Sequence, residues 1–168
     1  MQNKQSLILN EDDIKKKIYR IAYEILENND EEKELVVAGV NGNGYMLAEK
    51  LAKLISKISG VPCTLAEIVV DKENPQMDKV KISLSAKEFK NKPVILVDDV
   101  ANTGRTLLYS MKPILEFSPK KIQIAVLVDR KHKLFPVSAD YVGLSLSTML
   151  HEHVRVTFTR EKEGVYLS

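Results

Sequence analysis

Cysteine is nearly absent from this 168-residue chain: Cys63 stands alone. No internal disulfide can form, and the apolar surroundings of Cys63 fit a small core residue better than a nucleophile. A disulfide-stapled scaffold is excluded, and a reducing compartment fits. Long apolar runs are missing too. Before Asp13 there is only Leu7-Ile8-Leu9, too short for a signal-peptide core, and no later segment approaches a membrane span. The expected location is the cytoplasm. No strong excess of either charge exists: a formal net of +2 is not the bias of a dedicated nucleic-acid binder, so any basic surface is local. Repeats, low-complexity tracts and linkers are absent, and the length fits one domain over residues 1–168. Gly42 and Gly44 do not open a dinucleotide fingerprint, because Leu47 stands where the third glycine belongs, and no Gly-Lys-Ser/Thr follows.

What is present is concentrated in Val94-Ile95-Leu96-Val97-Asp98-Asp99-Val100-Ala101-Asn102-Thr103-Gly104-Arg105-Thr106. The unbroken apolar run fits a strand covered on both faces, with Pro93 tolerable at its first residue, hence a central parallel strand. At its carboxyl end Asp98 and Asp99 supply acceptors for hydroxyls or for a metal ion. The amides of Thr103 to Thr106 open onto a helix start suited to a phosphate. A diol binder beside a phosphate cradle is what a phosphorylated ribose requires. Apolar strands ending in a capping Asp are common in α/β proteins, but Thr-Gly-x-Thr in register makes the functional reading the stronger.

Around this segment the pattern alternates between helix and strand. Ile14, Ile18, Ile21, Ala22, Ile25 and Leu26 recur at helical spacing after Asn10-Glu11-Asp12-Asp13, which offers an N-cap and first-turn acids. Leu35 to Val40 reads as a strand, Asn41-Gly42-Asn43-Gly44 as a tight loop, and Leu47, Leu51, Leu54, Ile55 and Ile58 as the stripe of a second helix closed by Gly60. Cys63 to Val70 is another strand, Asp71 to Asp78 an exposed mobile loop, and Lys79 to Leu84 a short returning strand. A helix from about Gly104 to Phe117 is expected to be kinked or interrupted by Pro113. Lys121 to Val128 and Val154 to Thr159 complete the strands. Such alternation predicts an α/β fold, a parallel sheet with helices on both faces and ligands at the strand carboxyl ends.

The Asp98-to-Thr106 segment resembles the phosphoribosyl pyrophosphate (PRPP) motif of the type I phosphoribosyltransferases. The order of parts from Ile14 to Phe158, including Ala125 to His132 and Ala139-Asp140-Tyr141-Val142-Gly143, is similar to the bifunctional pyrimidine-operon attenuators that are also uracil phosphoribosyltransferases. The resemblance implies the type I phosphoribosyltransferase fold with a small hood region. It also implies a glycosyltransferase in which Asp98 and Asp99 take the ribose hydroxyls, while Asn102, Thr103, Gly104, Arg105 and Thr106 complete the PRPP site. Asn41, Gly42, Asn43 and Gly44 become the pyrophosphate loop, and Tyr141 and Val142 base-site candidates, Tyr141 being equally readable as a core aromatic. Mg²⁺, held at Asp98 and Asp99, bridges the pyrophosphate; a homodimer or higher homo-oligomer and an RNA partner follow from the same likeness.

Several positions depart from that family. Asn102 stands where purine-using relatives carry a proton-handling aspartate; an amide has no basic lone pair, so a pyrimidine base of the uracil type is expected. The pyrophosphate loop lacks its basic pair, the 71–78 loop has Lys72 instead of an arginine, and Leu144 replaces a lysine after Tyr-Val-Gly. All three fall on the pyrophosphate side and point to weak activity. His151-x-His153 suits a metal but has no supporting cluster and reads as a solvated loop. Lys15-Lys16-Lys17-Arg20 and Arg130-Lys131-His132-Lys133 read as solvated charges, in regions that contact mRNA in the attenuator family. The leading expectation is a phosphoribosyltransferase using PRPP and a pyrimidine base. A nucleotide- or PRPP-sensing RNA binder and a plain sugar-phosphate binder are the alternatives.

Overall fold

The computed structural model describes residues 5–75, 79–149, 152–159 and 162–168. In chain order the elements are β1 (Ser6–Leu9), α1 (Glu11–Glu27), β2 (Leu35–Val40), α2 (Asn43–Ser59), β3 (Cys63–Val69) and β4 (Lys81–Ile82). They continue with α3 (Ala86–Phe89), β5 (Pro93–Ala101), α4 (Arg105–Glu116), β6 (Lys121–Arg130), β7 (Tyr141–Leu146), β8 (Val154–Phe158) and β9 (Glu163–Leu167). Asn10 starts α1 as the sequence predicts. Its side-chain oxygen accepts from the Asp13 amide at 2.9 Å while the Asp13 carboxylate accepts from the Asn10 amide at 3.3 Å, a reciprocal cap.

Six strands form the main sheet in the order β4-β3-β2-β5-β6-β7, all parallel except β4, which pairs antiparallel with β3. From β2 the chain moves outward to β3, then returns to β5 and leaves in the opposite direction through β6 and β7. The β2–β5 junction is therefore the switch point, with a crevice at the carboxyl ends of the two strands. Side chains alternate between faces. Val37, Ile95, Val97 and Leu127 pack with the buried stripes of α1 and α2, while Val36, Leu96 and Val126 pack with Phe89 of α3 and with Leu107 and Ile114 of α4. A second, antiparallel sheet of order β1-β9-β8 is the hood, and its Val156, Phe158 and Val165 join the core on the α1–α2 side.

Three expectations change. The returning strand is only Lys81–Ile82, because the chain turns at Ser85 into α3 to bury Phe89. Pro113 does not interrupt α4. The helix forgoes the one bond that a residue-113 amide would give to the Tyr109 carbonyl, while Leu107 and Ile114 hold the adjoining turns on the sheet. β6 runs on to Arg130, two residues past the apolar run. Residues 76–78 of the expected 71–78 loop lie outside the described residues. Among the described residues, no helix is long and apolar enough to cross a membrane.

Candidate functional site

β5 carries Asp98 and Asp99 to the switch point. Asp98 is only 3% exposed, so its carboxylate depends on the groups beside it. The Lys72 ammonium lies 3.2 Å from Asp98 Oδ1 and 3.8 Å from Asp99 Oδ1. Asn43, the first residue of α2, donates from Nδ2 to Asp99 Oδ2 at 3.1 Å and to the Val156 carbonyl at 2.9 Å, tying α2, β5 and the hood together. Burial, and then the neighbouring Asp99 charge, push the Asp98 carboxyl up to about 7, with Lys72 pulling the other way. Near neutral pH this group is therefore balanced between a proton and a role as hydroxyl acceptor. α2 approaches so closely that a Cβ on Gly44 would lie 2.8 Å from Asp98 Oδ1 and 3.1 Å from the Val97 carbonyl. Only glycine fits there without movement.

The Thr103–Thr106 segment, expected to hold a phosphate, turns from β5 into α4. Gly104 caps α4 with φ +84°, a left-handed backbone that other residues adopt only under strain. Space is short as well: a Cβ at 104 would lie 3.3 Å from Val137 Cβ. The Thr103 carbonyl accepts from the amides of Leu134 at 2.9 Å and Phe135 at 3.0 Å, which anchors the β6–β7 connection to this loop. Arg105 lies with its guanidinium carbon 5.8 Å from the Tyr109 ring centroid, and its buried Nε has no partner among the described residues. The start of α4 thus presents helix amides and a dipole end, both favouring an anion.

Both features border one cavity of about 710 Å³, large enough for a nucleotide-sized ligand. Its lining includes Asp98, Asp99, Asn102 and the Thr103–Thr106 loop, with Asn43 and Lys72 beside the two carboxylates. It also includes Arg130, His132 and Phe135 with Val154 and Val156 of β8. Every residue expected from Asp98 through Thr106 to form the PRPP site lines this space. The pyrophosphate loop arrives only in part. Asn43 lines the cavity and Gly44 abuts Asp98, but Gly42 does not line it, and Asn41 turns aside so that its Oδ1 accepts from the Val70 amide at 3.0 Å.

Tyr141 and Val142, the expected base contacts, are not brought to the cavity. Tyr141 opens β7 in register with Ala125, at the amino end of the strand, and is buried in the core shared with α1. Parallel strands offer ligand groups at their carboxyl ends, so the first residues of β7 are on the wrong side for this crevice. Burial, and then the Asp140 charge, push the Tyr141 phenol up to about 12. It is a neutral core aromatic.

The basic run after β6 is not solvated as expected. Arg130 is 6% exposed and donates from Nη1 to Asn102 Oδ1 at 2.8 Å, from Nε to Thr148 Oγ1 at 2.9 Å and from Nη2 to the Met149 carbonyl at 3.2 Å. Lys133 turns inward to the Asp129 carboxylate and the Arg130 carbonyl, His132 Nε2 lies against the Thr148 carbonyl, and Lys131 alone of the four faces outward. A polar residue at the carboxyl end of a central parallel strand was the available signal. His153 lines the cavity, His151 lies outside the described residues, and no cluster of three or more metal-ligating side chains occurs among those described.

Comparison with known proteins agrees with this geometry. The profile of the phosphoribosyl transferase domain matches residues 4–159. The bifunctional protein PyrR of Fusobacterium nucleatum is 34% identical over 171 aligned positions, covering 98% of this chain and 96% of that protein. The bifunctional protein PyrR of Bacillus subtilis is 36% identical, covering 92% of this chain and 90% of that protein. Among solved structures, the hypoxanthine phosphoribosyltransferase of Trypanosoma cruzi superposes with a TM-score of 0.78 at 20% identity, over 96% of this chain and 95% of that one. A hypoxanthine-guanine phosphoribosyltransferase of Bacillus anthracis gives 0.70 at 23% identity, over 84% and 82%. These two likenesses concern the fold.

Proposed function

The chain belongs to the phosphoribosyltransferase family, and from that membership we propose that it transfers the phosphoribosyl group of PRPP to a pyrimidine base of the uracil type, releasing pyrophosphate. The observation that carries this reading is that buried Asp98, half-buried Asp99 and the amino end of α4 all line a single cavity. The carboxylates accept from the ribose 2′ and 3′ hydroxyls, and the amides at the start of α4 hold the 5′-phosphate. As the bond from ribose C1′ to pyrophosphate breaks, the sugar becomes cationic. Asp98 and Asp99 hold negative charge beneath it, so stabilisation and positioning do the work that a strong base does elsewhere.

Pyrophosphate meets the start of α2, where the first amides have no partner within the helix, together with the Asn43 amide and the Lys72 ammonium. Two adjacent carboxylates without a third protein ligand do not make a resident metal cage, yet they suit Mg²⁺, which binds through one or two carboxylates and substrate phosphates. Asp98 and Asp99 would hold it, and it would neutralise the leaving group. With labelled PRPP and Mg²⁺, a panel of bases is expected to yield nucleotide with uracil first. No nucleotide from any base would remove the enzyme reading.

A second reading adds RNA binding, and the exposed face of α1 favours it. Tyr19 and Tyr23 are exposed large aromatics beside exposed Lys15, Lys16 and Arg20, a mixture of stacking and charged groups suited to unpaired bases and phosphates. Lys15 and Arg20 are partly neutralised by Glu11 and Glu24. The test is a mobility shift with structured RNA at low and high salt; no shift at low salt excludes this role.

A further inference from the structure

Arg130 is a buried guanidinium that forms no ion pair among the described residues, since the nearby Asp129 is taken by Lys133. Its three bonds run to Asn102 on one side and to the consecutive residues Thr148 and Met149 on the other, two segments far apart in the chain. A guanidinium has donors only. Asn102 must therefore turn its carboxamide oxygen toward Arg130, as found at 2.8 Å, because the opposite orientation would set N–H against N–H. The Asn102 side chain is exposed, and its Nδ2 donates to no described residue. The cavity thus receives a donor of fixed polarity.

We propose that Arg130 locks Asn102 as a donor-only contact for the base, so that the site selects pyrimidines with an oxygen at ring position 4 over those with an amino group there. This rests on the ribose-phosphate placement above. With the hydroxyls on Asp98 and Asp99 and the phosphate on the start of α4, the lining left for the base includes Arg130, Val154 and Val156, and Asn102, bonded to Arg130 and adjacent to Thr103, joins the two parts. In an anti nucleotide the C5–C6 edge lies over the 5′-phosphate, and position 4 follows C5 on that side. Asn102 Nδ2 is placed to donate to a 4-oxo group. A 4-amino group would oppose it donor to donor, and neither group could turn to an acceptor, Asn102 being held by Arg130. Asn102 reads the base, and Arg130 is a positioning residue that acts through it.

Dissociation constants of UMP and CMP, each referred to that of ribose 5-phosphate in the same variant, test this by calorimetry. The native chain is expected to favour UMP by about tenfold, the size of one mismatched hydrogen bond. Asn102→Ala should bring the ratio near one, and Asn102→Asp, an acceptor, should move it toward CMP. Both changes are at an exposed position and test the proposal even if Arg130 variants fold poorly. Arg130→Gln should reduce the preference in the native background and change nothing further in Asn102→Ala, a pattern that a merely structural role would not give. A UMP preference that persists in Asn102→Ala, or a ratio unmoved by Asn102→Asp, overturns the proposal while leaving the ribose-phosphate site intact. Failure of ribose 5-phosphate itself to bind the native chain would overturn both.

Discussion

Lys72 Nζ lies 3.2 Å from Asp98 Oδ1, so an ammonium already stands before the carboxylate where a ribose hydroxyl has to arrive. The side chain of Lys72 is 39% exposed and that of Asp98 is 4% exposed, an entrance group facing a buried one. On the proposed function Lys72 is expected to yield to the sugar and turn toward the pyrophosphate, the strongest negative charge then in reach. Lys72→Gln is expected to weaken PRPP about fivefold more than UMP, the size of a partly exposed ion pair. Equal losses for the two ligands in calorimetry would leave Lys72 without a role at the pyrophosphate.

The same contact sets a pH dependence. Asp98 is raised from an ordinary 3.8 to about 7 by burial and then by Asp99, while Lys72 lowers it. Ribose hydroxyls need the ionised form as acceptor, so ribose 5-phosphate affinity should rise as pH rises through about 7. Without the Lys72 charge, in Lys72→Gln, the rise should move to higher pH. In Asp98→Asn that component should vanish, which separates it from titration of the ligand's own phosphate.

Stability runs in the opposite direction. Between pH 3.8 and about 7 the folded chain keeps a proton on Asp98 that the unfolded chain has released, so the favourable contribution falls as pH rises and is gone above about 7. Asp98→Asn removes this slope. Its melting temperature relative to the native chain should be higher at pH 8 than at pH 5, although it loses a charge-assisted hydrogen bond of about 1.5–3 kcal/mol to the ribose. Parallel melting curves at the two pH values would contradict the buried-carboxylate account.

Gly44→Ala tests the closeness of α2 to β5. The added Cβ would meet Asp98 Oδ1 at 2.8 Å and Asp98 Cα at 3.1 Å, and overpacking of this kind destabilises by about 1–3 kcal/mol. Because the clash falls on the carboxylate, ribose 5-phosphate affinity should drop along with the denaturation midpoint. A midpoint loss without an affinity loss would mean that Asp98 relaxes independently of the sugar site.

Gly104→Val addresses the other anchor. At φ +84° and with Val137 Cβ 3.3 Å from the new Cβ, the turn opening α4 must rearrange, and a left-handed residue with a side chain adds about 1–2 kcal/mol of strain. Phosphate binding should be lost. Normal UMP affinity in the variant would place the phosphate elsewhere.

The part of the cavity lining from Asp98 to Thr106 was legible in the sequence because it is contiguous: the end of one strand, two carboxylates and a turn into a helix. The lining contributed by Arg130, Val154 and Val156, where we place the base, was not, because it is assembled from distant pieces. Arg130 meets Asn102 28 positions away and Thr148 18 positions away, and in the sequence it is one of four consecutive basic or histidine residues. Val154 and Val156 come from the hood, whose β1 and β9 are not evident in the sequence because strands of four and five residues carry little periodicity of their own and gain their partners only on folding. Tyr141 illustrates the reverse: a recognisable string suggested a ligand contact, and its position at the amino end of β7 made it core.

The adjacency of β2 and β5 has a consequence for measurement on the molecular scale. Two helices, α2 and α4, leave neighbouring strands at the same edge of the sheet and bring their amino ends to one crevice. Their separation is set by backbone hydrogen bonding between strands about 4.8 Å apart and by the two turns, not by any flexible side chain. On the proposed function the sheet would serve as a gauge block, and a sugar whose anionic groups stand at both ends of that span is expected to bind most tightly. A sugar phosphorylated at one end fills half the gauge, whatever base it carries.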